Sequence, residues 1–442
     1  MKKLLLILLC LPMIGFGQGW EKTFDKTNSD IGTSVQQTND GGYIICGTSG
    51  YSLSPGSFSG DVYLIKTDSQ GDTIWTRMFG NIDINSWPQT QNGNSVQQTT
   101  DGGYIICGKY YGPETYCGAI YLIKIDANGN KQWHQIIGGD QSVGTSCAQG
   151  FSVKQTADLG YIITGRIFSN LPGSSWDIYL VKTDFQGDTI WTKSFGGVED
   201  DSGYSVEQTS DGGYIVAGSV YNSFVYNSKD VYLLKTDVNG IEQWSQKFGD
   251  PEKTDEGYSV QQTSDGGYII CGSLMNDFFT AEMCLIKTNN LGSIMWTETF
   301  SGYGEGRSVQ QTTDGGFIIV GTLGTKLHLV KTNNIGAEQW KKTFLGTNAS
   351  QSFGYSVRQT TDGGYITAGQ QYYPVGTSSY DVYLIKTDGN GNVTSNFNIP
   401  INPNRKLQKT VDILGKQTIP QTNTPFIEIY DDGTVEKRIV IE

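Results

Sequence analysis

The chain is written in short apolar runs, such as Ile44-Ile45-Cys46 and Val62-Tyr63-Leu64-Ile65, each bounded by Gly, Asp, Asn, Ser or Thr. No helical period is sustained, so the runs predict strands. Several are apolar at successive positions, which suits sheets covered on both faces. Their order repeats. A pentad S-V-x-Q-T begins at Ser34, Ser95, Ser152, Ser205, Ser259, Ser308 and Ser356. Each pentad leads to a step like Asp40-Gly41-Gly42-Tyr43, with Asp158-Leu159-Gly160 the one departure. A run like Asp61 to Thr67 comes next, then a Gly-centred turn and a Trp strand such as Trp75 to Phe79. The D-G-G and D-x-x-G steps read as tight turns, where Asp bonds its own backbone and Gly supplies a positive φ.

Four antiparallel strands per unit, in seven units, predict an all-β fold: a seven-bladed β-propeller. The phase of the repeat sharpens this. Trp strands begin at Trp20, Trp75, Trp133, Trp191, Trp244, Trp296 and Trp340, so the first precedes the first pentad. The last unit has Asp381 to Asp388 and then no Trp. Trp20 to Phe24 is therefore expected to pair with Asp381 to Thr387 and close the ring. The propeller should occupy residues 18–394, followed by a small β segment at 395–442.

Composition removes several functions. The 442 residues include 58 Gly, 11 Pro and only two His, and the net charge is −13. An acidic surface repels phosphate, so nucleic acid is not an expected partner. Met1-Lys2-Lys3 followed by the apolar run Leu4 to Phe16 reads as a secretory signal peptide over residues 1–17. The expected location is extracellular or on the outer cell surface, reached through the periplasm. Six cysteines remain in an oxidising setting. Cys117 and Cys147 fall in loops flanking one blade, and a disulfide between them is a candidate.

The repeats also act as an internal control on chemistry. The slot of Cys46 is filled in turn by Cys107, Thr164, Ala217, Cys271, Val320 and Ala368. Such a slot needs a small buried side chain, not a redox or metal group. His134 and His328 occupy repeat positions without a nucleophilic partner, and no catalytic residue is assigned. The recurring Gln37, Gln98, Gln155, Gln208, Gln262, Gln311 and Gln359 either line a channel or bond across blades, and a repeated structural hydrogen bond is favoured. The D-x-x-G turns lack the downstream Glu of a calcium loop, so no metal site is assigned.

The run Asp61 to Phe79 resembles the tryptophan-docking repeat of quinoprotein-type propellers. The whole array is similar to secreted bacterial propeller-repeat proteins of mostly unassigned activity. No adjacent cysteine pair is present and the units number seven where those dehydrogenases have eight, so no quinone or other cofactor is expected. Val411-Asp412-Ile413-Leu414-Gly415-Lys416 and Tyr430-Asp431-Asp432-Gly433 to Lys437 resemble the type A sorting domain of type IX secretion cargo. That resemblance implies a partner in the type IX machinery.

What varies is the face carrying the second-to-third loops and the blade links, and it is rich in aromatic residues. Tyr110, Tyr111, Trp176, Tyr221, Tyr226, Phe278, Tyr372 and Tyr373 are the expected ligand-binding residues. Glu199, Asp200, Asp201, Glu252, Asp255 and Glu256 accompany them. Variable loops on a rigid support are where binding usually resides. The expected function is recognition of a glycan or a surface protein. A propeller glycoside hydrolase resembling an endoglucanase, which needs two facing carboxylates, and a purely structural surface protein are the alternatives.

Overall fold

The computed structural model describes residues 19–26, 29–50, 60–80, 90–112, 115, 117–139, 147–168, 175–222, 228–277, 280–374, 379–393, 406–412, 415–421, 424, 426–431 and 435–438. No helix occurs among them. The expected signal peptide lies outside the described residues. The chain divides into two compact units, Met1–Val393 and Thr394–Glu442.

The first unit is a succession of antiparallel sheets, each led by a pentad strand. In the first, Asp30–Gln37, Tyr43–Ser49, Asp61–Thr67 and Thr73–Phe79 pair in chain order. The tight turns fix this order. Asp40 accepts the Gly42 N–H and the Thr38 hydroxyl, while Gly41 takes φ 82°. The second and third strands are buried along nearly their whole length, which explains why they do not alternate. Their apolar side chains fill the spaces between successive sheets. Ile44, Cys46, Val62 and Leu64 pack with Val96, Tyr104, Ile106 and Tyr121 of the next sheet. Cys46, Cys107, Cys271 and Cys284 are free and fully buried, and burial pushes their thiols far above the ordinary value.

Trp20–Phe24 pairs with the strand Ser379–Thr387, in a register running from Trp20 opposite Lys386 to Phe24 opposite Val382. The N-terminal strand thus completes the last sheet. The expectation of uniform four-stranded sheets needs one correction. Ile294–Gln311 is a single strand of 18 residues, the outer member of one set and the inner member of the next, and it fuses the two into a seven-stranded sheet. The cause is the short interval between Trp296 and Ser308, which leaves no loop between the two pairings: Tyr303 still pairs with Glu282, past an irregularity at Ser301-Gly302, and Gly304 already pairs with Leu323.

The pentad strands bond to one another in a closed circuit. Six of the pentad Ser take part: Ser34 Oγ accepts the Val96 N–H, and Ser95, Ser205, Ser259, Ser308 and Ser356 accept those of Val153, Val260, Val309, Val357 and Val35. The recurring Gln close the circuit at all seven junctions. The side-chain oxygens of Gln98, Gln155, Gln208, Gln262, Gln311, Gln359 and Gln37 accept the N–H groups of Asn39, Thr100, Ala157, Ser210, Ser264, Thr313 and Thr361 at 2.8 to 2.9 Å. Sheets packed face to face around a closed ring of inner strands make a β-propeller.

The second unit holds a three-stranded antiparallel sheet of Leu407–Asp412, Phe426–Tyr430 and Val435–Arg438. Ile413 and Leu414 of the expected sorting motif lie outside the described residues, as do Asp432 and Gly433.

Candidate functional site

The two ends of the propeller are built differently. At the tight-turn end a Lys from each third strand reaches the Asp of the turn. Lys66–Asp40, Lys124–Asp101, Lys182–Asp158, Lys235–Asp211, Lys287–Asp265, Lys331–Asp314 and Lys386–Asp362 all sit at 2.8 to 2.9 Å. The ammonium groups are almost wholly buried, and each also donates to a neighbouring backbone carbonyl, as Lys66 does to Thr67. Partial burial pushes the Asp211 carboxyl up, but hydrogen bonds from Thr209 and Lys235 outweigh it and hold it at about 2. Uniformity of this kind is structural.

The other end is variable, and a β-bulge makes it so. In every pentad strand the register slips between the Gly two places before the pentad Ser and that Ser, as between Gly150 and Ser152. The residue between them is left out of the ladder. It is in turn Thr33, Asn94, Phe151, Tyr204, Tyr258, Arg307 and Tyr355. Five of these form an arc. Phe151 and Tyr204 have ring centroids 5.5 Å apart, Tyr204 and Tyr258 5.2 Å, and the Arg307 guanidinium lies 4.0 Å over Tyr258. Tyr355 lies close enough to influence the charge of Arg307. All five are half-buried, so each keeps some surface exposed.

Charged groups frame the arc. Arg307 pairs with Glu305 at 2.5 Å, and Lys229 pairs with Glu256 at 2.7 Å. The Tyr258 hydroxyl donates to Glu256. Arg166 sits 5.9 Å from the Phe151 ring and 4.3 Å from the Trp176 ring, and donates to Gln149 Oε1. Burial, with help from Arg166, lowers the Lys109 ammonium to about 8.

The expected site residues divide into groups. Trp176 and Tyr221 border the arc through Arg166 and Lys229, the latter 5.0 Å from the Tyr221 ring. Tyr111 lies beneath Lys109 at 4.3 Å. Tyr110 packs on Tyr121 at 5.5 Å, and Tyr372 on Tyr380 at 4.9 Å, so these rings hold hairpins together. Tyr373 accepts a hydrogen bond from Gln371. Tyr226 and Phe278 lie outside the described residues. Sequence reasoning missed Phe151, Tyr204, Tyr258, Arg307 and Tyr355. The signal was one variable position flanked by an invariant Gly and an invariant Ser.

Among the acids, Asp201 is buried, and that burial raises its carboxyl to about 6 despite hydrogen bonds from the Tyr221 and Gly197 N–H groups. Asp177 adds to the rise. Asp201 lines a cavity with Tyr221, Glu199 and Lys247. His328 is buried, and burial lowers it to about 4, with Lys341 contributing. His134 packs edge-on against Tyr121 at 5.7 Å. Among the described residues no group of three or more His, Cys, Asp or Glu is arranged to hold a metal ion. Cys117 and Cys147 form a disulfide with Cα atoms 5.2 Å apart. It ties a loop to the start of the next pentad strand, beside the hydrogen bond from Ala148 N–H to the Gly118 carbonyl.

No protein-family model matches the chain. It is 28% identical over 219 residues to the regulatory protein FlaEY of Caulobacter vibrioides, covering 46% of this chain and 22% of that protein. Among solved structures, a puromycin hydrolase matches with a TM-score of 0.52 at 11% identity, over 94% of this chain and 61% of that one. The WD40 domain of Neurospora crassa Pan2 matches with a TM-score of 0.45 at 9% identity, over 82% of this chain and 97% of that one. The likeness to the hydrolase is one of fold. The chain is a β-propeller, with a small second β unit.

Proposed function

We propose that this protein is a secreted seven-bladed propeller that binds a glycan through the arc of Phe151, Tyr204, Tyr258 and Arg307. One observation carries the reading: the bulge presents a variable side chain at one end of the ring, and Phe151, Tyr204 and Tyr258 lie side by side. Sugar rings lay C–H faces on aromatic planes, while charged groups nearby bond hydroxyls. Arg307, Glu305 and Glu256 are placed to do so. The seven pentads and the Gln circuit support the blade count. Residues 1–17 as a leader, and 395–442 as a type IX sorting segment, give the route to the cell exterior and the second partner. A glycan array on the protein of residues 18–442 tests this. Binding lost in Tyr204→Ala and Tyr258→Ala, with unchanged melting, is expected. No bound glycan, or binding unmoved by both changes, would overturn it.

A hydrolytic reading has one observation in its favour. Asp201, raised to about 6, has the character of a general acid at neutral pH, and Asp177 supplies a neighbouring carboxyl. Reducing-sugar release abolished by Asp201→Asn would establish it.

A further inference from the structure

A cavity of about 400 Å³ lies on the propeller axis, among the pentad strands. Its walls are polar and come from the Ser of five pentads, Ser34 to Ser259, and from the third pentad position of every repeat but the second. That third position is Gln36, Gln97, Lys154, Glu207, Gln261, Gln310 and Arg358 in turn. Where it is Gln or Glu, its side-chain oxygen accepts the N–H of the next strand. Gln98 N–H donates to Gln36, Gln155 to Gln97, Gln262 to Glu207, Gln311 to Gln261 and Gln359 to Gln310. Lys154 and Arg358 have no acceptor atoms. The next N–H groups in the circuit, those of Gln208 and Gln37, therefore face cationic side chains instead.

The cavity is donor-rich at other levels as well. Ser34, Ser95, Ser205 and Ser259 use their oxygens to accept Val N–H groups. Their hydroxyl hydrogens remain free to donate inward. Arg358 Nη1 is committed to Ser308 Oγ and to the Val357 carbonyl. No protein acceptor among the described residues takes up its Nε or Nη2. Lys154 approaches Glu207 only to 3.8 Å. Two cations thus share one carboxylate in a confined space. Burial, and the field of Arg358, hold Lys154 below the ordinary amine value against the pull of Glu207. A protein of net charge −13 has drawn two positive groups onto its own axis, where low-dielectric walls strengthen their field.

We propose that the axial cavity binds a small oxyanion, a carboxylate or a phosphate, between Lys154 and Arg358. Charge-assisted bonds from the guanidinium and ammonium would hold it, with pentad Ser hydroxyls as further donors. This site is separate from the aromatic arc and does not depend on it.

The repeats provide the control. Lys154→Gln and Arg358→Gln install the residue other repeats use, so the N–H of Gln208 and of Gln37 are each offered the acceptor that the other repeats provide. Isothermal titration of the full chain with inorganic phosphate, and separately with glucuronate, reads the site and tells the two anion classes apart. At least one probe should bind the unaltered protein. The double variant should melt no lower and bind about tenfold more weakly or worse. Glu207→Gln should bind more tightly, having lost the competing carboxylate. Arg358→Gln alone gives a second arm should the double variant fold poorly. No binding of either probe at millimolar concentration, or equal binding by unaltered and Gln variants, would overturn the proposal.

Discussion

Trp20 stands edge-on to Tyr43, ring centroids 5.8 Å apart, and its ring also covers Gly71. Trp20 belongs to the sheet of Ser379–Thr387, whereas Tyr43 and Gly71 belong to the sheet of Asp30–Gln37. The pair recurs round the ring, with Trp75 on Tyr104 at 6.1 Å and Trp340 on Tyr365 at 5.7 Å. Each Trp thus locks its own sheet to the next, and Trp20 does so where the circuit closes. Trp20→Ala should lower stability by about 2–4 kcal/mol, less than a fully buried Trp would, since the ring is half-buried. Denaturant unfolding measures it, and a loss below about 0.5 kcal/mol would deny Trp20 this role.

Gly71 tests the same contact from the other side. It has φ 80°, and a Cβ there would lie 2.5 Å from the Trp20 ring. Gly71→Ala should therefore destabilise by more than the roughly 1 kcal/mol of backbone strain alone. In a Trp20→Ala background the steric part should disappear, which a double-mutant cycle would detect.

Asp211 and Lys235 give a pH dependence with a defined sign. The folded carboxyl lies at about 2, below the unfolded value near 3.9. Its stabilisation is therefore present above pH ~4 and is lost as pH falls through about 2. Asp211→Asn should cost about 1–2 kcal/mol at neutral pH, discounted because Asp211 is more than half exposed. The difference from the unaltered protein should vanish near pH 2. A difference that stayed constant to pH 2 would show that the carboxylate charge is not the cause.

Asp381 should behave in the opposite way. Burial, with Asp25 and Asp30 nearby, raises its carboxyl to about 6, and its Oδ1 is buried without a hydrogen-bond partner. Ionisation therefore weakens the fold as pH rises from about 4 through about 6. Asp381→Asn should raise the melting temperature at pH ~8 and leave it unchanged at pH ~4. A gain at pH ~4 as large as that at pH ~8 would contradict the assignment.

The disulfide offers a test of the loop end. Cys117→Ser should cost about 3.6 kcal/mol in the chain-entropy model for a closed loop of 30 residues. Thermal melts with and without reductant should then coincide for the variant and differ for the unaltered protein.

The scaffold was legible because repetition marks it. The Gln of each pentad and the Trp of each outer strand stand at fixed offsets, and both turn out to bridge neighbouring sheets. The binding face was legible only in part. Tyr110 and Tyr372 drew notice as loop aromatics, yet they pack on Tyr121 and Tyr380. Tyr204 and Tyr258 sit inside strands, where an aromatic reads as core. Only a register slip, visible in the pairing of Gly203 and Ser205 with the adjacent strand, frees such a residue from the ladder. Lys154 and Arg358 were hidden for a related reason, since a variable pentad position passes for tolerance until the circuit of acceptors shows what each substitution breaks.

Strand closure also brings the two ends of the propeller together. A Cβ placed on Gly19 would lie 2.7 Å from the Asn392 carbonyl oxygen. A peptide linker of a few residues would span that gap, so the chain can be rejoined there and cut at a different tight turn without asking any strand to move. Circular permutants opened at the Asp126 or Asp237 turns should assemble the same ring. For such a molecule the order in which the repeats leave the ribosome is a matter of history, not of architecture.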